Sequence, residues 1–397
     1  MERYNERSIE KEKVDYMNKL LYFIIIVAFL DTFVQLPIIT PYALGLGASH
    51  ILAGAIVAVY SLTNMLGNVV GGHWIDRFGR KRMLLTGMVT VAIVLFFYPY
   101  AQTGEQLFIF RLLHGLAGGI LIPAAFAYVG DMSSNKSRGK TMAFTGASIG
   151  IAAIIGPAIG GIMAARASIE SVFLMISGLF IISSILIARF IKESFVSSER
   201  NKVALKHFIP LLKHPLLMQA SLAAFALMVS NGTLAFALPL KVDDLGLTSE
   251  TTGMLLSIFG IVALIIFLTP INKIYDRYAS LGLVLTGIAF IAIALAMLSF
   301  IPSFLSSIFA MIVYGGGFAL VFPSMNQIVA ETSSKVDRGK AYGIFYAFFS
   351  LGSVAGSFVS GATSDAFGLP FLSSAITMMT VGVIVFFIAK KYAQKES

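Results

Sequence analysis

Runs of roughly twenty apolar residues, each long enough to cross a hydrocarbon core as a helix, alternate with short polar stretches along nearly the whole chain. Twelve of them begin near residues 20, 50, 83, 107, 141, 169, 214, 249, 282, 304, 341 and 370. The pattern predicts an all-α integral membrane protein with twelve transmembrane helices. An even number of spans leaves both termini on one side. The first nineteen residues are polar and mixed in charge. The apolar run behind them is too long, and lacks the small-residue cleavage site, to be a removable signal peptide, so it is expected to stay as span 1.

The pattern occurs twice. Asp276-Arg277 repeats Asp76-Arg77, Thr286-Gly287 repeats Thr86-Gly87, Pro323 repeats Pro123, and SSKVDRGK ending at Lys340 repeats SSNKSRGK ending at Lys140, always at an offset of 200. So constant a register predicts a duplicated, parallel pair of six-helix bundles. The expected organisation is a tail (1–19), a first bundle (20–192), a linker (193–213), a second bundle (214–391) and a short tail (392–397). The linker alternates basic and apolar residues at helical spacing, which suits a helix lying on the inner membrane surface.

Composition agrees: 57% of the 397 residues are hydrophobic and 12% charged, far from a soluble domain. With both termini inside, all of the 29 Lys and Arg except Arg111, Arg166 and Lys241 fall on inner loops and tails, as the positive-inside rule demands. The net charge of +9 therefore reads as topology and attraction to anionic lipid rather than as a nucleic-acid surface. With no cysteine and five scattered histidines, neither metal nor cofactor is expected. No nucleophile, base and orienting group recur together, so the chain is not read as an enzyme.

Between spans 2 and 3, Gly72, Asp76, Arg77, Gly79, Arg80 and Lys81 stand at the spacing G-x-x-x-D-R-x-G-R-K. This resembles the signature loop of the major facilitator superfamily, and the second copy is worn: Asp276 and Arg277 remain, but Ala279, Ser280 and Leu281 replace the rest. The resemblance implies an inner-gate charge network of Asp76, Arg80 and Asp131 that locks the outward-facing state, with Asp76 against the N-terminus of span 11. Glu331 holds the place of Asp131 in the second half.

Asp31 is the one acid deep within a predicted span. An Asp at a helix centre costs about 2.5 to 3.5 kcal/mol, which the surrounding Leu, Ile, Val and Phe offset at about 0.3 to 0.6 each; the helix inserts in spite of it. Burial disfavours an ionised carboxyl and a nearby cation favours it, the balance a proton carrier needs. On span 4, RLLHGLAGG carries Arg111 and His114 and resembles the superfamily pattern R-x-x-Q-G-x-G with His in place of Gln. Arg111 either pairs with Asp31 or bonds to backbone carbonyls. His114, an imidazole able both to donate and to accept a proton, joins them in the proton-coupling set, although packing is its simplest role. In span 5, Gly146 with Gly150 and Gly156 with Gly160 are small-x-x-x-small pairs that admit a neighbouring helix, and Pro157 adds a kink. The stretch GPAIGG, through Gly161, resembles the superfamily's antiporter motif. PYALGLGAS, after Pro37 and Pro41, resembles the end of helix 1 in the twelve-helix drug:proton antiporters.

That resemblance implies a monomeric, proton-coupled exporter of lipophilic or amphipathic small molecules in a bacterial cell membrane, contacting protons, substrate and lipids and working by alternating access. Gln35, Asn231, Tyr314, Asn326, Tyr342 and Tyr346 are expected to line its cavity. A symporter for a sugar or organic anion, or a lipid or glycolipid flippase, would share the fold and stays open at this point.

Overall fold

The structure, a computed structural model, describes residues 2–132, 138–194, 209–332, 338–367 and 369–396; within them the side chains of 2–18, 72–73, 76, 130, 132, 138–146, 209, 338–339, 365–367 and 392–396 lie outside the description. The described secondary structure is helical: α1 (Glu2–Gln35), α2 (Ile39–Gly45), α3 (His50–Phe78), α4 (Arg80–Phe97), α5 (Gly104–Met132), α6 (Arg138–Arg166), α7 (Ile169–Phe190), α8 (Ile209–Leu212), α9 (Pro215–Asp244), α10 (Ser249–Leu268), α11 (Ile274–Arg277), α12 (Ser280–Phe300), α13 (Phe304–Thr332), α14 (Arg338–Phe367) and α15 (Pro370–Glu396). Among the described residues, eleven segments are long and apolar enough to cross a membrane, and α1 with α2, bent by 50°, supplies a twelfth if the pair is one span. The bend falls at Pro37, which has no N–H to continue the helical ladder. The polar N-terminal residues, expected as a tail, continue α1 back to Glu2.

Local chemistry sets the other boundaries. Ser49 caps α3 by accepting from the Leu52 N–H at 3.2 Å, Ser168 and Ser171 form a capping box at α7, and Pro215 opens α9, where its missing N–H costs nothing. Gly79 joins α3 to α4 at φ 101°, a left-handed conformation that favours glycine. The second copy of this corner is built differently: α10 stops at Leu268, Pro270 starts a 3-10 turn, and Asp276-Arg277 sit on the single turn of α11.

The ends around residues 46–49, 98–104, 167–168, 245–248 and 301–303 lie at the end of the bundle opposite the signature loop, called the outer face below after the topology expected from the sequence. Within each half, small residues let backbones touch. Gly156 and Gly160 lay α6 on Phe33 and Val34 of α1, while Gly352 and Gly356 lay α14 on Phe225 and Val229 of α9. Between the halves the same logic recurs near the outer face. Gly54 meets Ser357 and Gly361 of α14; Gly161 meets Ser249 of α10, and Gly253 meets Pro157 of α6. Gly54 with Ser357 and Gly253 with Pro157 are related by the 200-residue repeat to within one position. Arg166 pairs with Glu250 at 3.5 Å on the same face, the Thr40 hydroxyl donates to the Ala235 carbonyl at 3.2 Å, and the Ser61 and Ser353 hydroxyls meet at 3.0 Å. In lipid such close packing of small residues, rather than water exclusion, holds helices together. The outer face is closed. Residues 195–208, most of the expected amphipathic linker, lie outside the described residues.

Candidate functional site

Asp31 and Gln35 stand one turn apart on α1, and Arg111 and His114 share a face of α5. Their helices bring all four together, at exposures of 3%, 3%, 5% and 0% respectively. Arg111 does not pair with Asp31. His114 does: its Nε2 lies 2.9 Å from Asp31 Oδ2, so the residue whose simplest role was packing is the direct partner of the acid. Gln35 Nε2 donates to Asp31 Oδ1 at 2.6 Å, and Arg111 Nη1 donates to Gln35 Oε1 at 2.7 Å. The rest of the guanidinium donates from Nε to the Ile56 carbonyl at 3.3 Å and lies over the Tyr60 ring, 4.3 Å from its centroid. Gln35, expected in the cavity wall, is a buried bridge instead.

Tyr98, in the 3-10 turn after α4, completes the cluster with its hydroxyl 2.9 Å from His114 Nδ1. Arg111 stands beside that hydroxyl. The two ring contacts fit either tautomer: with Asp31 ionised the ring donates from Nε2 and accepts from the hydroxyl at Nδ1, and with Asp31 protonated these directions reverse. Two arms reach the Asp31 carboxyl, one from Arg111 through Gln35 to Oδ1 and one from Tyr98 through His114 to Oδ2. Both oxygens of Asp31 and both ring nitrogens of His114 have a partner, as buried polar groups require. The sequence pattern gave no sign of Tyr98, which reads as an interfacial aromatic at a helix end.

The second half has a silent counterpart. At the offset of 200, Asn231 stands for Asp31 and Tyr314 for His114, and the Tyr314 hydroxyl meets the Ser230 hydroxyl at 2.8 Å. Tyr314 is fully buried and so lines no open cavity, contrary to expectation. Asn326 donates to the Phe322 carbonyl at 2.8 Å. Tyr342 stacks on Tyr346, with ring centroids 6.1 Å apart, and Tyr346 is 51% exposed. A cleft of about 410 Å³ between α4 and α7, lined by Val89, Ile93, Phe97, Ile181 and Ile185, shares no residue with the buried network.

At the inner end, Arg80 Nε pairs with Asp131 Oδ2 at 2.9 Å although the outer face is closed, so this contact is not confined to an outward-facing state. A residue absent from the sequence expectations joins it. Glu193 Oε1 accepts from the backbone N–H groups of Arg80 at 2.8 Å and Lys81 at 3.2 Å, capping α4 with a negative charge where the helix dipole favours one. Its Oε2 lies 2.5 Å from where a Cβ on Gly79 would be, which gives that glycine a second reason. Ser194 donates to Asp131 at 3.0 Å, and Lys81 Nζ donates to the Ala188 carbonyl at 2.9 Å. Gly72 and Arg77 lie in the last turns of α3; the Asp76 side chain lies outside the described residues. Glu331 accepts from Gln327 of its own helix at 2.8 Å, and among the described residues Asp276 and Arg277 make no ion pair. In α6, Gly150 has nothing within 4 Å of its Cβ position, so no helix packs there as its spacing suggested; the surroundings of Gly146 lie outside the described residues.

The family model of the Major Facilitator Superfamily matches residues 21–240 and 220–397. The chain is 25% identical over 387 residues to "Multidrug resistance protein 2" of Bacillus subtilis (strain 168), covering 94% of this chain and 95% of that one. It is also 25% identical over 392 residues to "Quinolone resistance protein NorA" of Staphylococcus aureus (strain MSSA476), covering 96% and 98%. The crystal structure of a bacterial homolog to the human lysosomal transporter Spinster, inward-facing and occupied, shares the fold with a TM-score of 0.80 at 13% identity, over 95% and 97% of the two chains. The helical duplication, the signature loop and these matches agree that the chain belongs to the Major Facilitator Superfamily, as a multi-span membrane transporter and not an enzyme.

Proposed function

We propose that the chain is a proton-coupled exporter of lipophilic or amphipathic small molecules, working as a monomer by alternating access. The reading takes 20–192 and 214–391 as two bundles that rock about a midplane site, joined by 193–213, with both termini cytoplasmic. The observation that carries it is the Asp31 network: one titratable acid, sealed from water, with a fixed cation one bridging side chain away and a neutral Asn231 at its repeat position. Such a site can exist in two protonation states without rebuilding the helices around it. Export rather than import is supported by the resistance names of the relatives and by GPAIGG. Its Gly156 and Gly160 pack on the helix that carries Asp31, while Pro157 and Gly161 meet the other half. The ring contacts of Tyr342, Tyr346 and Phe349 on α14 give an aromatic surface suited to lipophilic cargo.

One proton entering down about 150 mV supplies roughly 3.4 kcal/mol, enough for a gradient on the order of 300-fold of a neutral substrate. A single carrier group is sufficient. The test is uptake of a dye and drug panel by inverted membrane vesicles, with and without an imposed pH gradient. Wild type should concentrate drug only with the gradient, and Asp31→Asn should bind drug without concentrating it. Uptake indifferent to the gradient, or an Asn variant as fast as wild type, would remove the proton from the mechanism.

A further inference from the structure

The family pattern has an amide where this chain has His114, and the difference changes where a proton can go. Both oxygens of Asp31 already have donors, Gln35 Nε2 at 2.6 Å and His114 Nε2 at 2.9 Å, and the residue is 3% exposed. The groups facing His114 are Asp31 from α1, Tyr60 from α3, Tyr98 from the turn after α4 and Arg111 from its own helix. With the ring donating from Nε2 to Asp31, the one nitrogen lone pair among them is on His114 Nδ1, 2.9 Å from the Tyr98 hydroxyl. A glutamine at this position could donate to Asp31 but would offer no such lone pair.

We propose that the coupling proton is exchanged through the His114 ring by a change of tautomer, with the Tyr98 hydroxyl setting the proton affinity. The step balances as follows. The Tyr98 O–H turns out of line, the incoming proton bonds to Nδ1, and the proton on Nε2 passes to Asp31 Oδ2. Asp31 then donates to the bare Nε2, and the new Nδ1–H donates to the Tyr98 oxygen. One proton is gained, two N–H bonds trade places, and no tyrosinate forms. Loading therefore reverses the donor direction of one arm, while the Gln35 arm keeps Arg111 in place. The word coupling rests on the function proposed above; the tautomer change does not.

The experiment is ¹⁵N nuclear magnetic resonance of histidine-labelled full-length protein in lipid nanodiscs, with His114 assigned by its loss in His114→Gln. Nδ1 and Nε2 resonances separate the two tautomers from each other and from imidazolium. The expected result is Nε2–H at alkaline pH, converting to Nδ1–H as pH falls. Asp31→Asn should be locked as Nδ1–H at every pH. Gln35, held by Arg111 with its Nε2 toward residue 31, forces the Asn oxygen to its own side and the Asn N–H toward the ring. Tyr98→Phe keeps the ring packed between Phe110 and Phe173 and removes the hydrogen bond to Nδ1 from both forms, together with the cost of turning the O–H out of line on loading. Its midpoint should rise by about one pH unit. A ring that stays Nε2–H throughout, one that becomes imidazolium beside an ionised Asp31, or an Asp31→Asn protein with the wild-type tautomer overturns the proposal. An unmoved midpoint in Tyr98→Phe overturns the part given to the hydroxyl. The tautomer is read without transport, so a wild type that moved no drug would count against the exporter and not against the exchange.

Discussion

A single methyl group at Gly54 should open the outer face. A Cβ there would stand 2.8 Å from the Ser357 carbonyl oxygen and 3.0 Å from the Gly361 Cα, and both are backbone, so neither can rotate away. Restoring ordinary contact at about 3.5 Å requires α3 and α14 to part by roughly 0.6 Å. Overpacking of this kind costs about 1 to 3 kcal/mol. The cost falls on the outer-closed state alone, because the contact joins the two halves and is relieved when they separate. At about 1.4 kcal/mol per decade, Gly54→Ala should shift the ratio toward outer-open molecules by a factor on the order of 5 to 150. The chain has no cysteines, so spin labels at Gln102→Cys and Asp243→Cys, both exposed and on opposite halves, report the outer gap alone by double electron-electron resonance. Two controls separate gate from general strain. Gly150→Ala meets nothing within 4 Å and should leave the distances unchanged. Gly156→Ala presses on Phe33 within the first half at 2.7 Å and should destabilise without opening the gap. A wild-type distance distribution in Gly54→Ala, in a protein shown to be folded, would refute the reasoning.

Two further outcomes follow from the same geometry. Arg111→Lys keeps the charge but cannot satisfy Gln35, Ile56 and the Tyr60 ring from one ammonium, so drug export should fall at least about tenfold, measured beside Asp31→Asn in inverted vesicles. Glu193→Gln keeps an acceptor for the Arg80 and Lys81 amides but removes the charge at the α4 N-terminus; a loss of about 1 kcal/mol, seen as a lower melting temperature in detergent that high salt makes smaller, is expected.

The sequence by itself determined the membrane, the helices and the duplication, because each is written in the pattern of residues along the chain. Spans whose starts were set by hydropathy agree with the helices to within a few residues except the first, whose helix runs back to Glu2, and Pro37 breaks that helix as its chemistry requires. Spacing also put Asp31 with Gln35 and Arg111 with His114 on common helix faces. It could not say that those faces meet in this register, since in lipid both the outside and the core of a bundle are apolar and hydrophobicity does not mark which side turns inward. Hence His114 rather than Arg111 as the partner of Asp31, Gln35 as a bridge rather than a cavity wall, and Tyr98, 16 residues from His114 in the chain, as its second contact, were decided by packing alone. The same holds for Glu193, which reaches Arg80 across 113 residues, and for Gly150, whose motif-like spacing meets no neighbour. A glycine pair permits a close approach; only the arrangement of the other helices determines whether one arrives.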